Sequence, residues 1–175
     1  MEPVTLSTTI ARPREEVFEY LADVANHPEF TDHFLGDWHL TREDSYGQGA
    51  GARFRVKTRA DRFAYGDITL AEVRPPELIV ATGRGGRFNR IRSRSTWTLS
   101  DTDDGATRVE FSTASEPVMA SDRLMEKLLR TRSAATRHHK RALQRLRKIL
   151  ETGDQRGVHA TLSGGARKPA TGFRL

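Results

Sequence analysis

The chain has 175 residues, 36% hydrophobic and 30% charged, with a formal net charge of +6 and no cysteine. That length fits one domain with an appendage, and the missing cysteine excludes disulfides, a thiolate nucleophile and sulfur-bound zinc. No stretch approaches the roughly 20 apolar residues that span a bilayer, and MEPVTLSTTI is no secretory leader, which points to a soluble, cytoplasmic protein.

The charge is uneven. Residues 1–120 carry 15 Lys and Arg against 19 Asp and Glu, a balance of −4, whereas residues 121–175 carry 14 against 4, a balance of +10. Such a basic end can attract anions or acidic lipid, so peripheral membrane contact stays open. It lacks the interleaved aromatics and the reading motif of a nucleic-acid binder.

In chain order, VTLSTTI (4–10) is β-branched and bounded by Pro3 and Pro13, the pattern of a strand. Pro13, Glu15 and Glu16 open a short helix whose Val17, Tyr20, Leu21 and Val24 fall at helical spacing. Asn26 is placed to cap a second short helix, with Pro28 early in it and Glu29 three residues on. From Trp38 to Glu116 the period becomes two, broken by turn residues as in an antiparallel meander of about six strands. ARFRVKTRA (52–60) is the clearest strand, with Ala52, Phe54, Val56, Thr58 and Ala60 on one face and four cations on the other. The arginines of 53–62 and 84–94 read as a solvated outer face.

GQGAG (47–51) resembles a phosphate-binding loop at first sight. Such a loop needs a strand before the glycines and a helix after them, and here a strand follows. Gly47, Gly49 and Gly51 therefore read as a turn.

From Ser121, the residues Leu124, Leu128, Thr131, Ala135, His138, Ala142, Leu146 and Ile149 recur at spacings of three and four, predicting one long amphipathic helix of roughly 40 Å. The Gly-rich, polar stretch after it predicts a flexible tail over 152–175, leaving a domain over 1–151.

TIARPREEVFEYLADVANHPEFTDHF, ITLAEVRPPELIVATG and STWTLSDTDDGATRVEF resemble the opening, the Pro-Pro turn and the penultimate hairpin of the polyketide cyclase/dehydrase and START-like (SRPBCC) superfamily. The likeness spans about residues 4–150, with Phe30 standing where the family often has Trp. It implies an α+β helix-grip fold. A curved antiparallel sheet of about seven strands would wrap a long C-terminal helix, with two short helices after the first strand.

What sits in such a cavity is not named by fold motifs. The inward positions expected to line it are Phe54, Val56, Tyr65, Trp97, Leu99, Val109, Phe111, Leu124, Leu128 and Ala135. Candidates for acid–base work are Tyr65, Asp67 and His138, with Asp32 and His33 nearby in sequence. Among His27, His33, His138 and His139, the adjacent pair points about 100° apart on a helix, and no metal motif is present; no metal or other cofactor is expected.

Three readings follow. The first is a binding module for a small hydrophobic or aromatic molecule, polyketide-like or lipid-like. The second is a cyclase or dehydrase that uses cavity acid–base residues. The third is a non-catalytic interaction protein with a filled core and a basic helix as its contact surface. The sequence leaves the oligomeric state open.

Overall fold

The computed structural model describes residues 3–57, 64–86, 89–117, 131–153 and 159–162. Strand β1 (Val4–Ile10) leads into helix α1 (Arg14–Ala22), a 3-10 turn (Val24–Asn26) and helix α2 (His27–Thr31). Six strands follow: β2 (Leu35–Leu40), β3 (Gly51–Val56), β4 (Tyr65–Arg74), β5 (Leu78–Gly85), β6 (Ile91–Asp101) and β7 (Thr107–Pro117). Helix α3 (Thr131–Thr152) closes the domain. The predicted first turns of this helix, with Ser121, Leu124 and Leu128, lie outside the described residues, as do Thr58 and Ala60.

The seven strands form one antiparallel sheet in the order β1-β7-β6-β5-β4-β3-β2. This is the helix-grip arrangement expected from the sequence. Pairing β1 with β7 brings the first strand beside the last, so the meander runs from the far edge at β2 back to the chain's first strand.

Pro13 is the N-cap residue just before helix α1, and Glu15 and Glu16 in the first turn complement the positive end of its dipole. Val17, Phe18, Leu21 and Ala22 make its buried stripe. Asp23 then caps the 3-10 turn, its carboxylate accepting from Ala25 N–H at 2.9 Å.

The capping expected of Asn26 is absent. Its amide Nδ2 instead donates to the Tyr20 carbonyl at 3.0 Å, and the Glu29 carboxylate accepts from the Tyr20 hydroxyl at 2.7 Å. The short helix is held by the chain before it rather than by its own cap.

Ile10, Val17, Phe18, Leu21, Leu70, Ile79, Val109, Leu146 and Ile149 belong to one core between the sheet and the helices. Each such side chain contributes about 1.5–3 kcal/mol on leaving water. The last carbonyls of α3 have no partner within the helix, and Arg12 supplies one. Its Nε donates to Leu150 O at 2.8 Å and its Nη2 to Glu151 O at 3.2 Å. A cation at this end also suits the helix dipole.

The turn at 47–51 is confirmed in detail. Gly47 and Gly49 adopt φ of 75° and 91°, conformations that glycine takes without a Cβ penalty. Their amides are spent on the protein: Gly47 N–H donates to Ala22 O at 2.9 Å and Gly49 N–H to Leu70 O at 2.8 Å. No row of free amides is left for a phosphate.

Order does not end with α3. Ala160 N–H donates to Ala25 O and Leu40 N–H to Thr161 O, both at 3.0 Å. Ala160 is buried in the core. At residues 159–162 the chain thus departs from the predicted flexible tail.

Candidate functional site

A cavity of about 230 Å³ lies between α2, the inner face of the sheet and α3. Its walls are strongly aromatic: Phe30, Phe34, Trp38, Phe54, Trp97 and Phe111 all face it. These rings touch one another in series. Phe30 meets Trp97 edge-on at 6.1 Å, Trp97 meets Phe111 at 4.3 Å, and Trp38 meets Phe54 at 4.8 Å. Such contacts fix the rings by packing, so the walls hold their shape without a ligand.

The polar lining comes from two sources. Asp67, Thr82, Ser93, Ser95 and Thr113 stand on neighbouring strands β4 to β7, and His27, Thr31 and His139 come from the helices. Asp67 is held in place by the Arg84 amide, which donates to Oδ1 at 2.7 Å. Strand β5 approaches β4 so closely here that a Cβ on Gly83 would lie 2.1 Å from the Asp67 carbonyl oxygen. Glycine at 83 is therefore required for this end of the sheet to close.

His139 reaches the cavity from α3, and its ring lies 4.9 Å from Phe111. Burial, with smaller contributions from neighbouring His138 and His33, pushes its pKa down to about 4. The imidazole is neutral at pH 7 and can accept a proton. His27 is also held below the usual histidine range, mainly by burial. Its Nε2 lies 2.9 Å from Leu21 O. A carbonyl only accepts, so this nitrogen carries the proton and Nδ1 is the acceptor.

Trp38 is 4% exposed, and its indole Nε1 has no hydrogen-bond partner among the described residues. A buried donor without a partner is disfavoured by about 1–3 kcal/mol. A ligand oxygen or a water would relieve it.

The predicted lining divides three ways. Phe54, Trp97 and Phe111 line the cavity. Leu99 and Val109 are fully buried in the core without reaching the lining, and half-buried Ala135 is not part of it either. Val56 and Tyr65 are 36% and 46% exposed, and neither is on the lining, so both point away from the inward positions assigned to them. Leu124 and Leu128 lie outside the described residues.

Of the acid–base candidates, Asp67 faces the cavity and Tyr65 does not. His138 is exposed and stacks on the outer side of the site against Phe34, at 5.1 Å and 16°. Its neighbour His139 is the inward residue. Ala142, Leu146 and Ile149 of the same predicted stripe are buried as expected, so the departure is confined to His138, one residue or about 100° from the inward position. Asp32 is not in the cavity; its carboxylate pairs with Arg145 of α3, and that guanidinium also donates to Glu29 O at 2.8 Å. His33 donates through Nε2 to His138 O at 3.1 Å, which joins the end of α2 to α3. Among the described residues, no three His, Cys, Asp or Glu side chains gather as they would to hold a metal ion.

A curved sheet gripping a helix over an aromatic cavity defines the helix-grip class of folds. The sequence profile of the family described as "Polyketide cyclase / dehydrase and lipid transport" matches residues 1–151, and the chain belongs to that family. No curated protein matches the chain. Among solved structures it is similar to the Thermus thermophilus protein TTHA0849, at 13% identity and a TM-score of 0.64, covering 87% of this chain and 99% of that one. Truncated norcoclaurine synthase from Thalictrum flavum is similar at 11% identity and a TM-score of 0.63, covering 86% and 94%. A Deinococcus radiodurans protein is similar at 16% identity and a TM-score of 0.60, covering 87% and 99%. At these identities the likeness is one of fold. Among the described residues, no helix is long and apolar enough to cross a membrane.

Proposed function

We propose that the protein binds a compact aromatic molecule with at least one oxygen substituent. The observation that carries this reading is the cavity itself, walled by six aromatic rings that include Trp38 with its unpartnered N–H. Aromatic walls favour flat, apolar ligands, and a buried orphan donor favours a ketone or phenol oxygen over a plain hydrocarbon. The volume of about 230 Å³ is below the range of drug-sized pockets, which supports a compact ligand over a long acyl chain. A filled core, the premise of the interaction-protein reading, does not fit this cavity.

Titration with 2-naphthol tests the proposal. Trp38 and Trp97 are the chain's two tryptophans and both line the cavity, so binding is expected to quench their fluorescence saturably. Linear, unsaturable quenching equal to that of free tryptophan would rule the reading out. Native mass spectrometry of protein purified from its own host would then identify the natural occupant.

A second reading, cyclisation or dehydration of a bound poly-β-keto compound, is favoured by one observation: His139 is a neutral imidazole facing the cavity. Such a base can take an acidic α-proton, and a donor such as the Trp38 N–H can hold the enolate oxygen that forms. His139→Gln is expected to abolish turnover of a poly-β-keto thioester while leaving 2-naphthol binding within about threefold. Undiminished turnover would remove His139 from the chemistry.

A further inference from the structure

We infer that residues 159–162 form a strap that holds the α2–β2 wall of the cavity against the domain, and that release of this strap opens that wall. The strap lies beyond the family match, which ends at residue 151.

Three independent contacts define it. Its backbone bridges two elements: Ala160 N–H donates to Ala25 O in the 3-10 turn, and Thr161 O accepts from Leu40 N–H of β2. Thr161 also pairs in parallel with His39, extending the sheet at its outermost strand. Ala160 is 4% exposed and packs into the core as a peg.

The third contact is made by a side chain. Glu29 is 1% exposed, and a carboxylate that deep needs partners. Tyr20 serves one oxygen. His159 Nε2 lies 2.8 Å from the other, without good hydrogen-bond alignment. No other described group satisfies that oxygen. The strap therefore fastens by its backbone to the 3-10 turn and β2, and by a side chain to α2.

Those elements carry one side of the cavity. His27, Phe30 and Thr31 belong to α2, and Leu35 and Trp38 to β2. Beside the strap, β2 is held by its ladder with β3, and α2 by Tyr20 of α1 and by Arg145 and His138 of α3; what the strap adds is a tie between the 3-10 turn and the free edge of β2. Sliding the strap away loosens this wall and leaves the opposite wall, on β5 to β7, in its own continuous ladder.

The inference rests on the ligand-binding reading for what passes the wall, and amide exchange without ligand judges the strap separately. Full-length Ala160→Asp puts a charge where the peg sits. It is expected to speed exchange of the Val24–Leu40 amides about tenfold while β5 to β7 amides stay unchanged. 2-Naphthol dissociation should accelerate by a similar factor. No change, or a uniform rise over the whole sheet, would overturn the inference.

The fold of a second variant is protected. His39→Cys with Thr161→Cys sits on a register pair in a chain that has no other cysteine, so one disulfide can pin the strap. Oxidation should slow 2-naphthol release below that of the parent, and reduction should restore it; equal rates in the two states would also overturn the inference. If the parent binds no 2-naphthol, the ligand reading falls while the exchange measurement still decides the strap.

Discussion

The two halves of the sheet use similar residues to different ends. On one side, β5 to β7 and β1 pair without a break: β6 and β7 keep register from Ile91↔Pro117 to Asp101↔Thr107, and β1 matches β7 from Val4 to Ile10. On the other, β2 and β3 shift register between Gly36 and His39, with Asp37 at φ 53°, and β4 shifts against β5 between Leu70 and Glu72. Bulges re-aim side chains at a cost in ladder regularity. The irregular half carries Trp38, Phe54 and Asp67 to the cavity, and the regular half, packed under α1 and α3, supplies most of the support.

The largest expected effect lies in that support. Phe18→Ala removes a ring that is 1% exposed and should lower unfolding free energy by about 3–5 kcal/mol in urea titration. A loss near that of a surface site would mean that the regular half is not what bears the fold.

Gly83→Ala tests the seam between the halves. With a Cβ 2.1 Å from the Asp67 carbonyl, β5 must move off β4, so a loss of about 2–3 kcal/mol and weaker 2-naphthol binding are expected together. Unaltered binding would separate Asp67 from the site.

Next in size is an effect of pH. His139 falls from 6.5 unfolded to about 4 folded. Between those values the unfolded chain binds more protons, so stability is full above pH 6.5 and is lost as pH falls towards 4. From pH 7 to pH 5 the loss from this group is about 2 kcal/mol. His27, also lowered by burial, adds in the same direction. His139→Gln should flatten the profile in that window, measured by urea unfolding at each pH.

The smallest effect belongs outside both halves' interiors. Tyr65→Ala, at a side chain 46% exposed, should change stability by no more than about 0.5 kcal/mol and leave 2-naphthol affinity unaltered. A large loss of affinity would return Tyr65 to the cavity and sharpen the boundary of the irregular half.

Where the chain is periodic, the sequence was a good guide. β1, the meander and the α1 stripe follow from alternation, helical spacing and turn residues, and Phe54, Trp97 and Phe111 fell on inward positions for the same reason. The failures are physical too. Spacings of three and four connect Ala135 to both His138 and His139, and Ala142, Leu143, Leu146 and Ile149 choose the second only once the sheet is in place. Phe34 stands just before β2 and Trp38 inside its bulge, where alternation does not report direction. Ser93, Ser95 and Thr113 are small hydroxyl residues of a kind that every wet strand carries. His159 sits in a stretch whose composition resembles linker, and its role depends on a glutamate 130 positions earlier.

The strap has one more effect, on how copies of this chain meet each other. A strand at the border of a sheet offers unpaired amides and carbonyls to any passing strand and is the usual seed of aggregation. Here the Leu40 amide is already taken by Thr161, and Asp37 twists the strand beside it. The chain thereby protects its own margin with a piece of itself, and losing that cover would let β2 recruit a neighbour.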